Sequence, residues 1–252
     1  MLAFRQMAIE TNPRHQARST VNLLRNDALE GAQARRRAQI PDATVARLPL
    51  YLRALSELAD RGVTTCSSEH VATAAGVSSA NVRKDLSHLG SYGTRGVGYD
   101  VHQLRDRIAE TIGQTQNWKV IIVGAGHLGS ALAAYQGFGT RGITIAAVVD
   151  EDPALVGSTL GPNTIESVDN LAALVKEHNI LIGIIATPPA GAQPVADQLV
   201  AAGVTSILNF APTLVHVPDG VDVRQVDVAV ELQILAYHEQ RKASSADSGG
   251  DE

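Results

Sequence analysis

Val120-Ile121-Ile122-Val123-Gly124-Ala125-Gly126-His127-Leu128-Gly129 decides the fold of this chain. Four consecutive β-branched residues read as a strand buried on both faces, and the glycines that follow them fit G-x-G-x-x-G. Gly124 permits a tight turn, and Gly126 lets the backbone approach a pyrophosphate. Gly129 allows a helix to pack closely on the strand. Around Ala125, His127 and Leu128, the free N–H groups of a starting helix can face phosphate oxygens. The next strand, Ile143–Asp150, ends in a carboxylate 21 residues beyond Gly129. There Asp150 can accept both adenosine ribose hydroxyls and would repel a 2′-phosphate, which favours NAD(H) over NADP(H). The plain alternative is a glycine-rich turn with no nucleotide.

Downstream, strands and helices alternate. Lys119–Val123, Ile143–Asp150, Ile180–Thr187 and Val204–Phe210 are rich in Val and Ile. Helical spacing occupies Leu128–Phe138, Val168–Glu177 and Ala192–Ala202, so a doubly wound parallel sheet is expected. A short strand, Val221–Val226, precedes a last helix, Val228–Arg241, and a small polar tail expected to be disordered. Thr187-Pro188-Pro189 and Asn209-Phe210-Ala211-Pro212 follow two of the strands, at the carboxyl ends where ligands sit in such sheets. Thr187, Pro188 and Phe210 are candidates for the nicotinamide half. Each loop reads equally well as a strand end stopped by proline.

Upstream, Leu48, Leu52, Leu55 and Leu58 form one apolar stripe of a helix closed by Gly62, with Pro49 near its start. Ser67 or Ser68 can cap a second helix, Glu69–Ala75, and Ser78 a third, reaching about Leu89. Val82, Leu86 and Leu89 make the third helix's apolar face. Ser79, Asn81, Arg83 and Lys84 point elsewhere, and suit base edges or phosphates. Gly90-Ser91-Tyr92-Gly93-Thr94-Arg95-Gly96-Val97-Gly98-Tyr99 suits the wing of a winged helix, with Arg95 near its tip as a DNA contact. Asp100 caps a linking helix with Val101, Leu104, Ile108 and Ile112 inward. A winged helix also serves as an oligomerisation module, so DNA binding is one of two uses of this unit.

Net charge is −5 over 252 residues, which alone argues against nucleic acid. Its distribution does not. Residues 1–44 carry seven arginines and four acids, and 45–115 eight basic and seven acidic groups; the excess of acid lies beyond residue 116. The N-terminal half can therefore face phosphates without repulsion. Arg35-Arg36-Arg37 reads as a solvated arm or as a source of non-specific DNA affinity. There is no apolar run of membrane-spanning length and no secretory start, and the single cysteine, Cys66, reads as a small hydrophobe. A cytoplasmic protein is expected. Tyr135, Lys176, His178 and His216 are the few candidate general bases after Gly129, and no second α/β lobe forms a substrate cleft. A sensor is expected rather than an enzyme, with no catalytic residue and no metal site.

Arg83-Lys84-Asp85-Leu86-Ser87, the wing string, the Gly124–Gly129 loop and Asn209-Phe210-Ala211-Pro212 together resemble the Rex family of redox-sensing transcriptional repressors. The resemblance runs in matching order from about Val45 to Arg241. It implies a homodimer that binds a palindromic DNA operator when NADH is scarce and is released by NADH. It also implies that Val228–Arg241 is exchanged between subunits. Arg53, Tyr99 and Asp227 match the family's arginine, tyrosine and aspartate that couple domain position to redox state. Val228 stands where some members carry an aromatic residue. The expected organisation is an arm (1–43), a winged-helix domain (44–115), a Rossmann-type sheet domain (116–226), a domain-swapped helix (227–242) and a tail (243–252). The rival readings are a NAD-dependent dehydrogenase with an accessory N-terminal domain and a CoA-binding or structural dimer.

Overall fold

The computed structural model describes residues 40–90, 93–94 and 97–247, and side chains as far as residue 242. The expected arm up to residue 39, Arg95 on the wing and the last five residues lie outside the described residues. The chain divides into two units, Met1–Ile112 and Gly113–Glu252. The break comes three residues before the expected boundary because Gly113, at φ 76, ends the linking helix there.

In the first unit, helix α1 (Asp42–Asp60) buries Leu48, Tyr51, Leu52 and Leu55. It starts two residues before the expected domain edge, so Pro49 lies inside it rather than near its start. Strand β1 (Thr65–Cys66) leads to α2 (Ser68–Ala75), whose cap Ser67 accepts the N–H of His70. Helix α3 (Ser79–Ser87) is capped by Ser78, which accepts the N–H of Asn81. Strands β2 (Gly93–Thr94) and β3 (Gly98–Asp100) form the hairpin, and β3 also pairs antiparallel with β1. Asp100 then caps α4 (Val101–Thr111) by accepting the N–H of Gln103 at 2.8 Å. Each such cap contributes about 1 kcal/mol. Val71, Val82, Val101, Leu104 and Ile108 close one core beneath α1.

The second unit holds a seven-stranded sheet. Its strands are β4 (Trp118–Val123), β5 (Ile143–Asp150), β6 (Thr159–Leu160), β7 (Asn163–Ser167), β8 (Ile182–Ile185), β9 (Ser206–Asn209) and β10 (Asp222–Gln225). Their spatial order is β10-β9-β8-β4-β5-β7-β6, all parallel except the β6–β7 pair. The first strand is thus central and the order reverses between β4 and β8, the switch point where doubly wound sheets bind ligands. Ile121 and Val123 enter one core with Leu199, while Val120 and Ile122 enter another with Ala133. Both faces are therefore covered, which is why β4 reads as unbroken aliphatic sequence.

The helices are α5 (His127–Ala133), α6 (Leu171–His178), α7 (Pro189–Ala202) and α8 (Val228–Asp247). Several expected boundaries shift. The helix expected over Leu128–Phe138 stops at Ala133, and a 3-10 turn over Gln136–Arg141 holds Gly137 and Gly139, poor helix formers. The strand expected over Ile180–Thr187 narrows to Ile182–Ile185. The hairpin of β6 and β7 has no counterpart among the expected elements. The last helix corrects the tail: α8 continues through Asp247, because Ala243 to Asp247 are small or polar but contain no helix breaker. Among the described residues no helix is long and apolar enough to cross a membrane.

Candidate coenzyme site and nucleic-acid interface

The three motif glycines have different reasons to be glycine. Gly124 has φ 101, and a Cβ on it would lie 2.7 Å from the Ala186 carbonyl oxygen. A Cβ on Gly129 would lie 1.8 Å from the Gly124 carbonyl oxygen, so α5 could not approach the loop. Among the described residues nothing lies within 4 Å of the Cβ position of Gly126. Packing explains the outer two, and the middle one faces open space, where a ligand could approach the backbone. His127 and Leu128 are exposed beside it and Ala125 is buried. Asp150 Oδ2 accepts the N–H of Ala125 at 2.5 Å, and Oδ1 accepts that of Asp152 at 2.8 Å. An ionised carboxylate offers about four acceptor positions, so capacity remains for ribose hydroxyls.

The other candidates lie at the same end of the sheet. The backbone nitrogen of Thr187 would be 3.1 Å from a Cβ on Gly124, which places the two loops side by side. Thr187 Oγ1 is buried without a hydrogen-bond partner among the described residues. An unsatisfied buried hydroxyl costs roughly 1–3 kcal/mol, so its position beside the glycine loop fits a ligand contact. Pro188 precedes α7. The N–H of Phe210 donates to the Ile185 carbonyl at 3.0 Å, and its half-buried side chain packs against the core that holds Ile122 and Ile184. Asn209, by contrast, is structural. Fully buried, it donates to Thr213 O and Gln225 Oε1, each at 2.8 Å, and accepts the N–H of Ala211 at 2.9 Å. These residues fit NAD(H). Among the described residues no group of His, Cys, Asp and Glu could hold a metal ion.

In the first unit, α3 exposes Asn81, Arg83 and Lys84 and half-buries Ser79. Arg83 Nη1 donates to Ser68 Oγ at 3.0 Å, which steadies the guanidinium along α2. The inward side of α3 holds a residue the sequence reading passed over. Asp85 is fully buried and accepts hydrogen bonds from Thr44, Arg47 and Tyr51 of α1. Burial pushes its carboxyl up, but the bonds from Arg47, Tyr51 and Thr44 and the Arg47 charge outweigh that and hold it at about 2. Burial and the neighbouring carboxylate push the Tyr51 hydroxyl up to about 12, and the bond to Asp85 raises the Arg47 guanidinium. A signal was available. Val82, Asp85, Leu86 and Leu89 fall at i, i+3, i+4 and i+7, and an acid in an apolar stripe calls for a cation beside it.

Arg53 is exposed on α1, 3.7 Å from Glu57. Tyr99 is half-buried in β3; burial pushes its hydroxyl pKa up, against the pull of nearby Arg83. Asp227 caps α8, its Oδ1 accepting the N–H of Ala229 at 2.9 Å and of Val230 at 3.3 Å. Every side chain from Val228 to Lys242 is exposed. Of the candidate general bases, His178 lines a shallow pocket with Trp118 and Lys119, at the amino ends of the strands and opposite the glycine loop. His216 is tied by its backbone N–H to Gln193.

Two family models match: "Putative DNA-binding protein N-terminus" over residues 39–87 and "CoA binding domain" over 115–213. The redox-sensing transcriptional repressor Rex of Streptomyces griseus is 58% identical over 219 residues, 87% of each chain. The solved structure of RSP in complex with beta-NAD+ and operator DNA is 32% identical with a TM-score of 0.77, covering 84% of this chain and 98% of that one. RSP in complex with beta-NADH gives 31% and 0.75, with 83% and 98% covered. The sheet matched by the CoA-binding description is one part of relatives that span both units. This chain belongs to the Rex family of redox-sensing transcriptional repressors.

Proposed function

We propose that this protein is a transcriptional repressor that reads the NADH/NAD+ ratio and leaves its DNA operator when NADH binds. One observation carries the reading. A Rex relative matches both units in a single alignment over 87% of the chain, so the exposed basic helix and the glycine loop belong to one device. RSP, at 32% identity, is a protein solved with coenzyme and operator together. Its close relatives are repressors, and the same regulatory role, not catalysis, is assigned here.

Helix α3 reads a major groove through Ser79, Asn81, Arg83 and Lys84, with Arg95 of the wing as a further contact. The loop from Gly124 to Gly129 holds the pyrophosphate, and Asp150 accepts the ribose hydroxyls through its remaining lone pairs. Thr187, Pro188 and Phe210 line the nicotinamide end. The coenzyme supplies the signal, a planar cationic ring when oxidised and a neutral one when reduced. Pro188 and Phe210 offer apolar surface that disfavours the cation by desolvation, and so favours NADH.

The working unit is a homodimer on a palindromic operator. Leu232 and Leu235 are 60% and 59% exposed, and a helix with such a face packs on a second copy, here by exchange of α8. Arg53, Tyr99 and Asp227 couple coenzyme binding to the spacing of the two α3 helices. Taking a dimer from 99:1 to 1:99 needs about 5.5 kcal/mol, roughly half from each of two coenzymes. The protein acts in the cytoplasm, with its DNA and coenzyme. The test is duplex binding to a palindromic operator library with NAD+ or NADH, repeated with Asp150→Ala and Arg83→Ala. Asp150→Ala should lose the coenzyme response alone, and Arg83→Ala the DNA affinity. Operator binding indifferent to NADH would overturn the reading.

A further inference from the structure

We infer that Asp85 is a positioning residue for DNA reading: this buried carboxylate, held by Thr44, Tyr51 and the half-buried Arg47, sets the rotation of α3 on α1. This rests on α3 being the recognition helix.

The carboxylate is saturated. Oδ1 accepts from Thr44 Oγ1 and Arg47 Nη2, both at 2.8 Å. Oδ2 accepts from Arg47 Nε at 2.6 Å and Tyr51 Oη at 2.7 Å. All four acceptor positions are filled. The donors span two turns of α1, so α3 cannot slide or roll without breaking at least one bond. The apolar contacts of Val82 and Leu86 carry no such directional demand, because burial is insensitive to angle. The Arg47 fork is directional, since its two parallel bonds fix a plane as well as a distance.

Stability alone is a poor account of the cluster. Well-packed apolar groups in place of an ion pair around a buried carboxylate are often as stable or more so, whereas loss of one partner is costly. What the ions specify is geometry. Asp85 directly follows Arg83 and Lys84, so a small roll of the helix that apolar packing would tolerate swings both away from a base edge.

The experiment uses the full chain with Arg47→Met, Tyr51→Phe and Asp85→Leu combined, and Tyr51→Phe alone. Thermal unfolding, NADH affinity, and affinity for a selected operator and a random duplex are measured for each. The triple variant should fold and keep NADH affinity. Its operator affinity should fall at least about tenfold, as loss of one well-placed base contact would give. Random-duplex binding, which depends on surface charge, should stay within about threefold. Tyr51→Phe should show a smaller loss of the same kind. An unchanged operator-to-random ratio in both variants overturns the inference, as does a triple variant that does not fold, which would make the cluster a folding element. Arg83→Ala with Lys84→Ala separates the two readings. If that pair leaves operator binding intact, the recognition-helix reading falls; if it weakens binding while the triple variant does not, only the positioning role falls.

Discussion

Helices α3 and α8 both carry an apolar stripe, yet the chain treats them in opposite ways. In the nine residues of α3, Val82 and Leu86 are 0% and 2% exposed and Asp85 is clasped by α1. Over the twenty residues of α8, every described side chain faces solvent. An isolated helix shorter than roughly 12–15 residues is marginal in water, so α3 exists because of what it touches. Helix α8 is long enough to hold itself with its Asp227 cap, but its leucines still call for a surface. A stripe therefore announces that burial is needed without saying by what.

The largest effect should come from filling that stripe with charge. Leu232→Asp with Leu235→Asp removes about 2 kcal/mol of burial per side chain, or roughly a thousandfold in dimer dissociation per helix. Sedimentation should show monomers while both units melt as before; an unaltered dimer would assign the interface elsewhere.

Acid should loosen the opposite member of the pair. Asp85 sits at about 2 when folded, against 3.8 ordinarily, so its stabilisation is complete above pH 4 and is lost as pH falls toward 2. The shift corresponds to about 2 kcal/mol. Urea unfolding of the first unit at pH 5 and pH 3 should show about half of that loss, the rest coming below pH 3, and Asp85→Asn should be less stable at pH 5 with a flatter profile. The smallest effect is at the cap of α8. Asp227→Ala should cost about 1 kcal/mol of helix stability, visible by circular dichroism, and Asp227→Asn little of it. A loss of NADH response shared by both variants reports the coupling role; a loss confined to Asp227→Ala reports only the cap.

Much of this was legible because it is local. The glycine loop, the Ser67, Ser78 and Asp100 caps and the aliphatic run of β4 each declare themselves within ten residues. What was missed depends on distant partners or weak patterns. Asp85 meets its donors 34 to 41 positions away in sequence, so its neighbours in the chain do not name them. Strand β7 buries only Ile165 among Asn, Thr, Glu and Ser, too little to separate from a loop. Helix α8 ran past Arg241 because alanines and serines carry no periodic signal even where they are helical.

The Asp150 carboxylate has a kinetic meaning as well. By accepting the N–H groups of Ala125 and Asp152, it ties the glycine loop down through bonds within the protein itself. Little ordering is then left for the moment of encounter, so the entropic cost of capture is small and arrival is not slowed by refolding. A reporter built this way is limited by how quickly it lets go, and it can follow a changing redox poise as fast as dissociation permits.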